Sequence, residues 1–527
     1  MALYPKANEG RLRASDPVLA KLRRKFLLVT TKNFTVLLIL FLSLYCWIFG
    51  ALYQQESHIH NLTIGFVDYD GGAVGAAFRT AAAGLQGQTY PVIAEYPPSE
   101  FPAPSDLEAA VCSTDFWATI YIAPGASDRL SAGLSGSTPA SSFNRSDIVT
   151  YTWNEVRYPT IVDADVSANL QELSNAARIL YTTGNATRAS LNVTNPDVLP
   201  ILVNPWTLVS VNIQPTTQGP RVIYNTIVIV LVLVQEFFYL GILNGIYGHL
   251  KIWGKAKPKF IVCVRIVNSV VYSFLSSLCL TGAIWAFRAG WNVDGGQFML
   301  TWMTFWLLGS LNFFVLDIFT VWSPPPFVPM FLITWVIFNV ASIVTPLELV
   351  PGFFKIGYVF PAHAAYQVLL DIWSRGCNPQ LPYALPTLFA WELVAVIGSS
   401  IGVYRRAHYA KVAEEGEAKA LREKVCALME FEHSQKVLRQ QQQQQQETGQ
   451  EIGGAEAKIE RPSTGNEYSE DESTEEAELA KVISRVDLQT QRESMRSQAL
   501  APLNYALQLP FSASDDEDGC DNIETKR

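Results

Sequence analysis

Charge is scarce in this chain. Of its 527 residues only 17% are Asp, Glu, Lys or Arg, against 49% that are apolar, a balance unusual for a soluble protein. There is no basic stripe of the kind that grips nucleic acid, so no nucleic-acid partner is expected. Histidine is scarce as well, with six in all. Only His58 and His60 stand close enough to suggest a metal, and beside a membrane such a pair reads as interfacial groups; no metal and no cofactor are expected. A phosphate loop is missing too. The stretch Gly248-His-Leu-Lys-Ile-Trp-Gly254-Lys255-Ala256 has one residue too many between its glycines and an alanine where the magnesium-binding hydroxyl would stand, so it reads as a basic loop. No catalytic constellation survives inspection, and the expectation is that the chain is not an enzyme.

Cysteine usage excludes a disulfide scaffold. Cys46, Cys263 and Cys279 lie within apolar runs, and Cys426 and Cys520 lie near the C-terminus. Cys112 and Cys377 fall in segments read below as outside the cytosol, where they form either one bridge or two small buried thiols.

What the chain does have is long apolar runs. About 20 apolar residues in a helix cross a hydrocarbon core about 30 Å thick, and five runs of that order crowd into residues 221–405: Val222 to Tyr247, Phe260 to Phe287, Phe298 to Val321, Phe327 to Thr345 and Thr387 to Tyr404. A sixth, Phe34 to Tyr53, stands far upstream. It follows a basic segment, residues 1–33, that carries Lys6, Arg11, Arg13, Lys21, Arg23, Arg24, Lys25 and Lys32 against only Glu9 and Asp16. The run is too long, and ends in residues too bulky, for a cleaved signal peptide, so an uncleaved signal anchor with a cytoplasmic N-terminus is expected. The basic connection Gly248 to Lys259 and the pair Arg405-Arg406 both fall on the cytoplasmic side if six helices alternate, which places the C-terminus in the cytosol as well. The fold class expected is a bundle of six transmembrane helices, one plus five, in the plasma membrane or a secretory-pathway membrane.

Residues 54–220, between the anchor and the cluster, then lie outside the cytosol. They contain the sequons at Asn61, Asn144, Asn185 and Asn192, more than chance gives a segment of this length, and glycosylation there is expected. Short apolar runs alternate with helical stretches: strand Leu62 to Val67, helix Ala73 to Ala83, strand Tyr90 to Tyr96, helix Ser105 to Val111, strands Trp117 to Ile122 and Ile148 to Trp153, and helix Val162 to Tyr181. This is the pattern of a mixed α/β domain. Between its first strand and helix, Asp68-Tyr-Asp70-Gly71-Gly72 reads as turn chemistry, with a carboxylate-pair or metal reading as the alternative.

Two features lie outside the spans. Tyr366, Leu369, Leu370, Ile372 and Trp373 share a helical apolar face, with Asp371 and Arg375 opposite, which predicts a short helix at the outer interface. Residues 406–439 favour a charged cytoplasmic helix. Beyond them, residues 440–527 open on a glutamine run and carry 8 basic against 19 acidic residues from Glu447 onward, which predicts a disordered acidic tail. Ser512 and Ser514 precede an acidic cluster that suits a kinase, or that simply solvates the tail.

Polar residues inside spans carry the most information, since an uncompensated charge at the bilayer centre costs about 3 kcal/mol or more. Glu236 lies near mid-span. No cation stands at its depth, but Asn312 and Asn339 do, which makes the three either a polar site linked to a pocket or a proton, or hydrogen-bonded helix glue. Arg265 and Asp317 lie at equal depth, about one turn from the cytoplasmic ends of their spans, and are a candidate ion pair. Glu392 is expected to reach the outer interface.

A signal anchor, an inserted α/β domain opening with the strand and Asp68-Tyr-Asp70-Gly71-Gly72-Ala-Val-Gly75, five clustered helices, and Gly357-Tyr-Val-Phe-Pro361 before an amphipathic helix resemble the fungal nitrosoguanidine-resistance membrane proteins. Those are similar in turn to ABC-2-type exporter subunits and phage-infection proteins. The resemblance covers roughly residues 34–405. It implies a role in drug or mutagen resistance or in membrane lipid organisation, with membrane lipids or amphipathic small molecules as partners, and it leaves room for an oligomer. Lacking a Walker motif, the chain would need a separate ATPase to power transport. The alternative is a non-transporting scaffold or regulator that binds proteins through its ectodomain and tail.

Overall fold

The computed structural model describes residues 17, 20–137, 142–184, 187–188, 191–192, 195–216, 224, 226–288, 291–324 and 327–452. The basic residues before Ala20, the sequon at Asn185, and the chain beyond Ile452 with Ser512 and Ser514 lie outside the described residues. The chain divides into two units. One takes in Met1–Glu236, Val270–Asn312 and Pro329–Leu393, and the other Phe237–Ser269, Phe313–Val328 and Val394–Arg527.

In the first unit, α1 (Ala20–Ala51) is followed by a five-stranded mixed sheet. Its strands are β1 (Thr63–Asp68), β2 (Val92–Tyr96), β3 (Ala118–Ile122), β4 (Val149–Trp153) and β5 (Leu208–Asn212), in the order β2-β1-β3-β4-β5. β1 pairs parallel with β2 and β3, β3 antiparallel with β4, and β4 parallel with β5. All of β1 after Thr63 is buried, as a strand flanked on both sides and covered on both faces must be. Helices α2 (Ala73–Leu85), α3 (Pro104–Cys112), α4 (Ala126–Leu134) and α5 (Ala168–Thr183) belong to the same domain, and α2 packs against α5. Phe78 and Tyr181 from those two helices meet the fully buried Trp206, whose indole N–H donates to Ser174 Oγ at 3.0 Å. α4 and β5 have no counterpart among the elements read from sequence: β5 is a half-exposed edge strand without an apolar run, and α4 is short and rich in Ser and Gly.

Among the described residues, five helices are long and apolar enough to cross a membrane: α1, α6 (Ile227–His249), α7 (Pro258–Ala286), α8 (Gly295–Trp322) and α11, which starts at Leu381. The run expected to span from Phe327 to Thr345 forms only α9, Val328–Ala341, 14 residues long. Pro346 explains the shortfall, because a proline ring clashes with the carbonyl four residues back and offers no N–H to the helix. A helix of that length rises about 21 Å, less than a hydrocarbon core.

Two further expectations need correction. α10 (Pro361–Trp373) is no interfacial helix: every residue in it but Asp371 is buried. The last span and the helix expected after it are one element, α11 (Leu381–Ile452), 72 residues with Pro386 inside its first turns. The glutamine run lies within that helix. Nothing between Tyr404 and Arg439 breaks it, and Gln is itself a good helix former.

In the second unit, glycine lets helices meet closely. A Cβ on Gly398 or Gly402 of α11 would lie 2.6 Å from Ile318 Cδ1 or Val321 Cγ2 of α8, the small-residue contact by which helices approach one another in lipid.

Candidate functional site

The turn after β1 consumes its own carboxylates. Asp68 Oδ1 accepts the N–H groups of Asp70 and Gly71 at 3.0 and 2.9 Å, and Asp68 Oδ2 takes Arg79 at 2.7 Å. Asp70 accepts from the N–H and hydroxyl of Ser127. A Cβ at Gly75 would fall 1.8 Å from Asp68 Oδ2, so the glycine keeps room for that carboxylate. His58 and His60 bond the carbonyls of Gln54 and Ser57. No group of three or more metal-ligating side chains occurs among the described residues.

Glu236 is 1% exposed. Ser276 Oγ donates to its Oε1 at 3.3 Å, and Gly309 leaves just enough space for it, since a Cβ there would stand 3.2 Å from the same oxygen. Asn312 and Asn339 do not reach it. Asn312 donates to the Leu308 carbonyl and accepts from the Trp335 indole at 2.9 Å. Asn339 donates to the Trp335 carbonyl and accepts from Ala362 N–H at 3.1 Å, which ties the end of α9 to the start of α10. The two amides thus serve the helix connection, and Glu236 is wedged among small residues of α7 and α8.

The second unit holds a larger polar cluster. Arg265 Nη2 lies 2.9 Å from Asp317 Oδ1, and Arg406 Nη1 reaches the same oxygen at 2.8 Å. Ser399 donates to Asp317 Oδ2 at 2.5 Å, and Asn244 Oδ1 accepts from Arg265 at 3.0 Å. All three charged side chains are at most 2% exposed. Two guanidiniums thus face one carboxylate. The indole of Trp253 stands 5.3 Å from Arg265 and 5.0 Å from Arg406, so an aromatic face supplies part of the missing negative potential. Depth counting links Arg265 to Asp317 but misses Arg406 and Asn244. In sequence Arg406 looks like a topological flank; the signal overlooked is the absence of any helix breaker between it and the span.

An apolar cavity of about 560 Å³ lies in the first unit, within the range of small-molecule sites. α8 contributes Leu300, Trp306 and Leu307, α10 contributes Val368 and Ile372, and α11 contributes Leu385 and Phe389. Leu300 and Phe389 are more than half exposed, so the cavity opens at the helix surface. Its ionisable lining groups are Asp371 and Glu392. Ser310 donates to Glu392 Oε1 at 2.7 Å, while Glu392 Oε2 is buried without a partner. Burial raises the Asp371 carboxyl, and the Asn378 N–H works against it. Glu392 was expected at the outer interface, whereas the structure turns it onto this cavity.

A smaller cavity of about 70 Å³ in the same unit is polar, and its lining includes Arg157, Tyr158, Glu348, His363 and Tyr383. Arg157 lies over the Trp117 ring at 3.9 Å, and burial lowers its pKa against the opposing pull of Glu348. His363 Nδ1 bonds the Ser342 carbonyl at 3.0 Å, which fixes the ring proton there. Its Nε2 and the Tyr158 hydroxyl are buried without partners, and a cavity of this size suits ordered water or a small polar solute. Nearby, Cys112 and Cys377 form a disulfide that ties α3 to the segment after α10. Of the sequons, Asn61 and Asn144 are exposed and Asn192 is half-buried.

Residues 33–397 match the family model described as a protein of unknown function (DUF3533). No solved structure matches the chain.

Proposed function

From a chain that belongs to the DUF3533 family, and whose long apolar helices suit a bilayer, we propose an integral membrane protein that takes amphipathic molecules from the lipid into its apolar cavity. On this reading it protects the cell from membrane-active drugs or mutagens, or redistributes lipids. The observation that carries the proposal is the cavity between α8, α10 and α11, because it combines an apolar wall, an opening at the helix surface and a half-buried carboxylate with one unpartnered oxygen. The architecture proposed is exporter-like: α1 as anchor, the sheet domain as a glycosylated ectodomain, α9 as a short sixth crossing, and both termini in the cytosol. Transport in this scheme draws its energy from a separate ATPase.

The test is growth of cells lacking the protein on amphipathic toxicants and alkylating mutagens, with complementation by wild type or by Leu385→Trp, which fills the cavity. Rescue by wild type but not by an equally abundant Leu385→Trp is the expected result. Equal rescue by both removes the cavity from the function.

One observation favours a second reading. Glu236 is sealed by packing and borders neither cavity, as befits a rigid scaffold that works through its ectodomain and the cytoplasmic part of α11. Under that reading, deletion leaves toxicant sensitivity unchanged while partner proteins are lost from the membrane.

A further inference from the structure

The charge of the cavity lining is one-sided. Among its lining residues are two carboxylates, Asp371 and Glu392, and no lysine, arginine or histidine. Its remaining polar groups are largely spent. Trp306 donates its indole N–H to the Val270 carbonyl at 3.0 Å, Thr304 donates to the Leu300 carbonyl at 2.9 Å, and Ser310 is turned onto Glu392. What is left over is acceptor capacity, concentrated on Glu392 Oε2. A carboxylate in such a wall is poorly solvated, and a cation placed beside it recovers much of what desolvation costs. An anionic head would meet two carboxylates and no free donor, and a neutral hydroxyl head would donate a hydrogen bond to Glu392 but bring it no compensating charge.

We propose that the guest of this cavity is a cationic amphiphile, a single-chain or compact apolar body with an amine or quaternary ammonium head that lies against Glu392 and Asp371. The inference rests on the cavity reading above and adds the sign of the guest's charge. The guest enters from lipid, whose tails are as apolar as the wall, so the wall accepts the body by packing and without regard to the head. Selectivity therefore belongs to the two carboxylates, and affinity for the tail to the leucines and Phe389.

The experiment uses the full-length protein in nanodiscs of zwitterionic lipid, with ω-brominated dodecyl chains bearing trimethylammonium, hydroxyl or sulfate heads. Bromine quenches tryptophan at close range and Trp306 lies in the wall, so the component of saturable quenching that is absent in Trp306→Phe reports occupancy. The ammonium probe is expected to bind about tenfold more tightly than the alcohol, equivalent to about 1.4 kcal/mol, with the sulfate weakest. Glu392→Gln is expected to remove most of that preference and to leave alcohol binding unchanged. Asp371→Asn, which alters the same wall from α10, is expected to reduce the preference even where Glu392→Gln fails to fold. Equal binding of all three heads, or a preference that survives both substitutions, overturns the charge inference and leaves the cavity reading standing. No saturable quenching by any chain overturns both.

Discussion

At the scale of single residues, the buried charges rank the cost of losing each one. Asp317 is shared by Arg265 and Arg406. Its replacement by alanine strands two desolvated guanidiniums side by side, and breaking a buried pair of this kind costs about 3–5 kcal/mol. Arg265→Met leaves Asp317 with Arg406 and Ser399 and removes the unbalanced charge, so it is expected to cost much less. Thermal melting and the yield of folded protein in detergent should therefore place wild type first, Arg265→Met second and Asp317→Ala last. His363 makes a prediction about pH. Burial lowers its pKa from 6.5 to about 4, and the groups sharing its cavity include Arg157, Glu348, Tyr358 and Tyr383. Between those values the unfolded chain takes up a proton that the folded protein refuses. Stability is therefore full above pH 6.5 and falls as the pH drops toward 4, by about 3 kcal/mol across the window. Melting profiles of wild type should lose that amount relative to His363→Asn, whose side chain does not titrate.

At the scale of elements, the contact between α8 and α11 depends on what is absent from α11. Gly398→Ala inserts a methyl group 2.6 Å from Ile318 Cδ1, and overpacking of this sort typically costs about 1–3 kcal/mol. Adding Ile318→Val, which removes the obstructing methyl, should recover part of the loss in a double-mutant cycle on melting temperature, whereas a distant valine substitution should not. The elements also show where reading by composition runs out. Apolar length alone locates α6, α7 and α8 to within a few residues, because nothing inside those runs interrupts a helix. The same criterion overestimates α9, where Pro346 acts from beyond the helix end. The amphipathic pattern in turn misplaces α10, which tertiary contacts bury within the protein: Tyr366 donates to the Arg157 carbonyl at 3.0 Å, and Asn378 donates to both the Gln367 carbonyl and its side-chain oxygen at 2.9 Å.

At the scale of the whole molecule, the alternation of strands and helices after α1 was legible because each buried strand carries its own apolar signature. The sheet order was not, since β1 sits between β2 and β3, and β5 joins through β4 from far along the chain. The sites divide in the same way. Charges inside apolar runs stand out in a sequence, but whether they face packing or a cavity depends on helix rotation, and that separates Glu236 from Glu392. The cluster at Asp317 has a further consequence for ions. With two guanidiniums and one carboxylate it leaves one fixed positive charge inside a low-dielectric bundle, and such a charge is an electrostatic barrier to other cations, as a lone arginine is in a water pore. That fixed charge is therefore expected to repel sodium, potassium and protons from the helices that hold Asp317.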